Sequence, residues 1–120
     1  GRLVVPGDGH PHPRWYGTFP RVLGHFVREK KTLSLEEAVY KMSLLPAQTI
    51  GIKNRGLIKK GMYADITIFD KNTIIDKATF ESPHQYSEGI YYVLVNGAVA
   101  IDNGEFKNIK AGVVLKKNAP

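Results

Sequence analysis

Cysteine is absent from all 120 residues. That excludes disulfides and thiolate zinc sites, leaves no sign of an oxidising compartment, and makes the cytoplasm the expected setting. The apolar runs are far shorter than the roughly 20 residues needed to cross a bilayer, and Gly1-Arg2 does not open a signal peptide, so a soluble protein with no membrane partner is expected. Also missing are a Gly-Lys-Ser/Thr phosphate loop, a Gly-x-Gly-x-x-Gly turn opening a helix, and a Gly-x-Ser-x-Gly elbow. No internal repeat of about 20 to 50 residues is visible.

What is present is basic and moderately apolar. Lys plus Arg number 17 against 11 Asp plus Glu, a formal charge of +6. The cations are dispersed: Lys30-Lys31, Lys59-Lys60 and Lys116-Lys117 are pairs separated by apolar segments. Each reads as a solvated turn or strand end, so no nucleic-acid partner is expected. With 42% hydrophobic residues the chain can bury one modest core, whereas a complete eight-stranded barrel of roughly 250 residues does not fit.

Periodicity orders the elements. Residues 1–17 are rich in Gly and Pro with almost no periodic signal and read as a loop. Phe19, Val22, Leu23, Phe26 and Val27 then fall on one helical face, with Thr18 placed to cap, Pro20 in the first turn and an end near Lys31. Ser34 to Glu37 form a capping box that starts a second helix, with Leu35, Ala38, Val39 and Met42 as its buried stripe. Pro46 should end or kink that helix near Leu44 and Leu45, and Gly51 is a natural C-cap after one more turn. Beyond Gly56 the period becomes two. Strands are expected over residues 64–69, 90–95, 98–101 and 113–115, with Asn96-Gly97 as a hairpin turn and Asn103-Gly104 as another turn. Helices followed by strands give an α+β class.

Four stretches carry a family resemblance. The run from Pro11 through His12, Pro13, Arg14, Trp15, Tyr16, Gly17, Thr18, Phe19, Pro20 and Arg21 to Leu23 resembles the D-aminoacylases, N-acyl-D-amino-acid deacylases of the amidohydrolase superfamily. The Ala78-Thr79-Phe80-Glu81-Ser82-Pro83-His84-Gln85-Tyr86 segment supports the same choice. The strand at residues 61–70 and the hairpin at residues 92–97 resemble the wider superfamily, which includes hydantoinases and dihydroorotases. The resemblance implies the C-terminal portion of such an enzyme. Residues 1–55 would be the substrate loop and closing helices of its TIM-type barrel, and residues 56–120 part of a small β-sandwich lobe. It implies a zinc-dependent hydrolase acting on N-acyl-D-amino acids, with zinc in the full-length enzyme and none in this piece. The piece alone is expected to be inactive and, with apolar faces uncovered, to self-associate. The competing readings are a fragment of another amidohydrolase, or a small non-catalytic β module for interaction or oligomerisation.

For the site, Arg14 is the leading residue: a guanidinium holds a carboxylate through paired, planar donors. The resemblance implies that Arg14 binds the α-carboxylate of the substrate; the alternative is a surface or structural arginine paired with a local carboxylate. Trp15, Tyr16 and Phe19 are placed to line the pocket beside it or, as aromatics next to a helix start, to join the core. His10 and His12 look like a metal pair, but the interleaved prolines forbid a ladder strand and a hydrolytic zinc needs about three protein ligands. They read as loop-shaping or pocket-lining side chains. Asp8, after Pro6-Gly7, does not end a barrel strand and is not taken as the catalytic base, which the resemblance places upstream. No catalytic or metal residue is therefore assigned to this chain. Arg21, Arg28 and Lys31 read as solvated, His84 as a hydrogen-bonded structural histidine in a segment packed over the β lobe, and Asp65 as a structural carboxylate accepting backbone N–H groups from a neighbouring turn near residues 61–63.

Overall fold

A computed structural model describes residues 7–116. The short apolar run at residues 3–5, Gly1 and Lys117 lie outside that range. The chain forms two compact units, one made of the residues up to Leu33 with Asp70–Gly89, the other of Ser34–Phe69 with the stretch from Ile90 onward.

In the first unit a helix α1 spans Arg14–Arg21 and runs without a break into a π-helical segment, Val22–Glu29. The helix thus begins inside the stretch expected to be loop, five residues before the expected start. The reason is local. Pro13 supplies a helical φ of −51°, and the N–H groups of Trp15 and Tyr16 donate to the carbonyls of His12 and Pro13. The His12 ring takes the remaining first-turn donor: its Nδ1 accepts the Arg14 N–H at 3.1 Å. Thr18 does not cap; its hydroxyl donates back to the Arg14 carbonyl at 2.7 Å. Pro20 therefore sits inside the helix rather than in its first turn.

Of the expected apolar stripe, Leu23 is buried, but Phe19 and Phe26 are exposed. The buried face is instead built from Gly17, Pro20, Leu23 and Gly24. A Cβ at Gly24 would lie 2.5 Å from the Ile74 carbonyl and 2.6 Å from Ile75 Cδ1, and one at Gly17 would lie 2.7 Å from Asp76 Cβ. These missing side chains let the extended Ile74, Ile75 and Asp76 lie directly on the helix, with Ile74 only 2% exposed. Arg28 is not simply solvated: it donates to the Ile74 carbonyl at 2.6 Å and to that of Lys71 at 3.3 Å, and Arg21 pairs with Asp76 at 3.3 Å.

In the second unit the capping box at Ser34 forms as expected. The Ser34 hydroxyl accepts the Glu37 N–H at 3.1 Å while the Glu37 carboxylate accepts the Ser34 N–H at 2.9 Å. Helix α2, Leu35–Met42, buries Ala38 completely. It stops before Ser43, two residues earlier than expected, because the Pro46 ring would collide with the carbonyl four residues back, that of Met42. A third helix, α3, covers Leu44–Ile50, and Gly51 closes it at φ 82°. Strands β1 (Ile66–Phe69), β2 (Ile90–Val95), β3 (Ala98–Asp102) and β4 (Glu105–Phe106) form one antiparallel sheet in chain order. Asn96 and Gly97 both adopt positive φ, 49° and 81°, as a two-residue turn matched to strand twist requires, and Asn103 and Gly104 repeat the device. No strand forms over residues 113–115; the chain there is irregular and exposed. The α+β class stands, with helices and a small antiparallel sheet.

Behind the hairpin lies a polar knot. Asp65 accepts the Asn96 N–H at 2.8 Å and pairs with Arg55. Arg55 in turn donates to the Asn96 side-chain carbonyl at 2.6 Å and stacks 4.3 Å above the Tyr63 ring. Asn96 Nδ2 donates to the Ala111 carbonyl at 2.6 Å, holding the chain that follows β4. Asp65 is the structural carboxylate expected, but the turn it serves is Asn96-Gly97 rather than residues 61–63. Burial pushes its carboxyl up, yet the Asn96 N–H and the Arg55 guanidinium outweigh this and hold it below its ordinary 3.8.

Candidate functional site

The candidate residues sit on the first turn of α1, a place set by the clasp around it. Helix N-termini leave N–H groups without intrahelical partners, so the pose of a first turn depends on what holds it from outside. Here the segment after Ala78 does so. His10 Nε2 lies 2.6 Å from the Phe80 carbonyl, and the Phe80 ring meets His12 edge-on at 5.0 Å. His84 joins three pieces of chain: Nε2 lies 2.8 Å from the Gly9 carbonyl, while Nδ1 receives the Gly7 N–H at 3.3 Å and the Tyr16 hydroxyl at 2.9 Å. The ring of Tyr16 also meets Tyr86 edge-on at 5.6 Å. Ser87 donates its hydroxyl to the Tyr16 carbonyl at 3.2 Å.

The sequence-predicted residues divide accordingly. Arg14 is exposed, and among the described residues its guanidinium makes no hydrogen bond or ion pair. Trp15 stands beside it, 55% exposed. Tyr16 is half-buried, with its hydroxyl committed to His84. Asp8 is exposed in the bend between Gly7 and Gly9. The turn thus presents an unpaired planar cation next to a large flat apolar surface, suited to an acid group attached to an organic body.

His10, His12 and His84 are structural in this arrangement: each ring has a nitrogen bonded to backbone. Among the described residues no group of three or more His, Cys, Asp or Glu converges as a metal site, so the donor set here does not fit a zinc ion. No described helix is long and apolar enough to cross a membrane. His84 is hydrogen-bonded, as its sequence context predicts, but its segment bonds to residues 7–16, and nothing in the sequence signals its Tyr16 partner. Arg55 and Ser87 were missed altogether, since neither lies in a motif.

Comparison with known proteins adds the following. A family model described as "Amidohydrolase family" matches residues 6–101. The N-acyl-D-glutamate deacylase of Alcaligenes xylosoxydans xylosoxydans is 44% identical over 115 residues, which are 96% of this chain and 23% of that protein. A crystal structure of D-aminoacylase superposes with a TM-score of 0.85 at 47% identity, covering 89% of this chain and 23% of that one. The N-acyl-D-glutamate deacylase of Bordetella bronchiseptica, solved with zinc and a phosphonate inhibitor mimicking the tetrahedral intermediate, superposes at 0.76 with 47% identity, over 79% of this chain and 20% of that one. The chain therefore spans about a quarter of the length of the relatives it matches.

Proposed function

This chain belongs to the amidohydrolase family, and from that premise we propose that it is the C-terminal portion of a zinc-dependent enzyme that hydrolyses N-acyl-D-amino acids to a carboxylate and a free D-amino acid. The identity of 44% to an N-acyl-D-glutamate deacylase along nearly the whole chain is the observation that carries this reading. On this reading residues 1–55 close the catalytic barrel and residues 56–120 belong to its small β-sandwich lobe, in a cytoplasmic enzyme.

Within that enzyme Arg14 holds the substrate α-carboxylate through two parallel N–H donors, Trp15 lines the site beside it, and Tyr16 contributes to the site as the support of that turn, its hydroxyl held by His84. The unpaired guanidinium supports the role, because a cation already bound to a neighbouring carboxylate would have to give up that partner first. Zinc and the catalytic aspartate are assigned to the part of the intact enzyme outside this chain, in keeping with the lack of a converging zinc donor set among the described residues. This chain's share of the work is then to bind and orient the acid end of the substrate.

The test is kinetic. The intact enzyme should release D-amino acids from N-acyl-D-amino acids, and this chain alone should release none. Arg14→Ala in the intact enzyme should lower kcat/KM about ten- to a hundredfold, the value of a charge-assisted carboxylate contact of roughly 1.5 to 3 kcal/mol. Kinetics within about twofold of wild type, with folding unchanged, would sink the carboxylate role.

A further inference from the structure

We propose that His84 is a positioning residue for Arg14: by gripping Tyr16 on one side and the Gly7–Gly9 bend on the other, it fixes the direction in which the first turn of α1 presents the guanidinium. The inference rests on the reading that Arg14 binds the substrate carboxylate.

The bonding of the ring leaves one arrangement. The Gly9 carbonyl can only accept, so Nε2 carries the hydrogen and donates across 2.8 Å. Nδ1 is then a lone pair, matching the Gly7 N–H at 3.3 Å, which can only donate, and the Tyr16 hydroxyl at 2.9 Å. Both nitrogens are used, and their partners bracket Arg14 in the chain.

Helical geometry makes the bracket directional. At 3.6 residues per turn, residues two apart point about 200° from one another. Tyr16 pinned inward therefore turns Arg14 outward, and rotation of the turn about its axis would swing both together. His12 completes the hold by accepting the Arg14 N–H at 3.1 Å. A guanidinium has no other fixation here, being exposed and unpaired among the described residues. Two-point recognition is demanding: a misplacement of about 1 Å at a positioning group can cost on the order of a hundredfold.

A double-mutant cycle in the intact enzyme tests this, with N-acyl-D-amino acid as substrate. His84→Ala should raise KM about tenfold with a smaller change in kcat, because it disturbs binding rather than bond cleavage. In an Arg14→Ala background the same substitution should change kcat/KM by no more than about twofold, since the group through which it acts is gone. Tyr16→Phe, which keeps the ring and removes only the hydroxyl bond, should reproduce the KM effect more weakly and vanish in the same background; it decides the matter if His84→Ala does not fold. Losses that multiply independently in the double variants would show that His84 is structural only and overturn the inference alone. An Arg14→Ala enzyme that behaves as wild type would remove the carboxylate reading, and this inference with it.

Discussion

The hydroxyl of Ser87 donates across 3.2 Å to the carbonyl of Tyr16, the one helical acceptor that Pro20 cannot serve. Proline brings no N–H to the carbonyl four residues back, so a proline inside α1 leaves an orphan acceptor, and a side chain from a distant segment fills it.

Ser87→Ala should therefore destabilise the fold by about 1 to 3 kcal/mol, the penalty for a part-buried carbonyl left unpaired. Denaturant unfolding measures it. With Pro20→Ala as background, residue 20 regains an N–H for that carbonyl, and the loss from Ser87→Ala should shrink. An equal loss in both backgrounds would show that the hydroxyl bond contributes nothing specific.

Gly24→Ala places a methyl 2.5 Å from the Ile74 carbonyl, a backbone atom that cannot swing away. Overpacking of this kind costs typically 1 to 3 kcal/mol. A thermal melt should show a clear fall in Tm. An unchanged Tm would mean that the segment at Ile74 is free to lift from the helix.

Asp65 gives a pH signature. Its carboxyl is held below 3.8 in the fold by the Asn96 N–H and Arg55, against the opposing pull of burial. The unfolded chain therefore takes up protons first as pH falls. The stabilisation is present above the ordinary carboxylate value and is lost as pH drops through the lowered one. Asp65→Asn should be less stable than wild type near neutrality, and the gap should narrow as the pH falls from about 5 towards 2. The carboxylate is a third exposed, so solvent screening makes the effect modest. A gap that stays constant across that range would rule out the linkage.

Self-association is expected of the isolated chain. Trp15 and Phe19, each 55% exposed, and Phe26 lie along one continuous helical run, and among the described residues β1 pairs on one side only. Uncovered apolar faces and open strand edges both favour association. Light scattering at micromolar concentration should give a mass above 13.4 kDa. A strictly monomeric species that binds no hydrophobic dye would refute the expectation.

Local signals in the sequence were legible where chemistry acts over a few residues. The Ser34 capping box and the two Asn-Gly turns depend on side chains bonding to, or φ values of, their immediate neighbours, and the structure forms all three. The start of α1 was not legible, because its first N–H is capped by a histidine, His12, outside the usual capping set. The buried face of α1 escaped for a related reason: Gly17 and Gly24 matter by what they lack, and hydrophobic periodicity gives weight only to large side chains. Val113, Val114 and Leu115 have the residue types of a strand yet join no ladder among the described residues, since β propensity reflects a neighbouring strand that the segment does not meet there. At the candidate site, residue type and resemblance single out Arg14 and Trp15, and the structure leaves both exposed on the first turn of α1. The hold on Tyr16 by His84 spans 68 residues and has no sequence period to reveal it.

The two Asn-Gly turns age differently. Slow loss of an asparagine amide begins when the following backbone nitrogen attacks the side-chain carbonyl, and a glycine there offers little obstruction. At Asn96 both side-chain atoms are engaged, by Arg55 and by Ala111, and the Gly97 N–H is bonded to the Ala64 carbonyl at 2.9 Å. At Asn103 the Gly104 nitrogen is likewise held, by the Tyr91 carbonyl at 2.8 Å, but the side chain is exposed and makes no hydrogen bond among the described residues. Chemical wear in storage should thus reach the β3–β4 turn first and spare the knot that ties the hairpin to the rest of its unit.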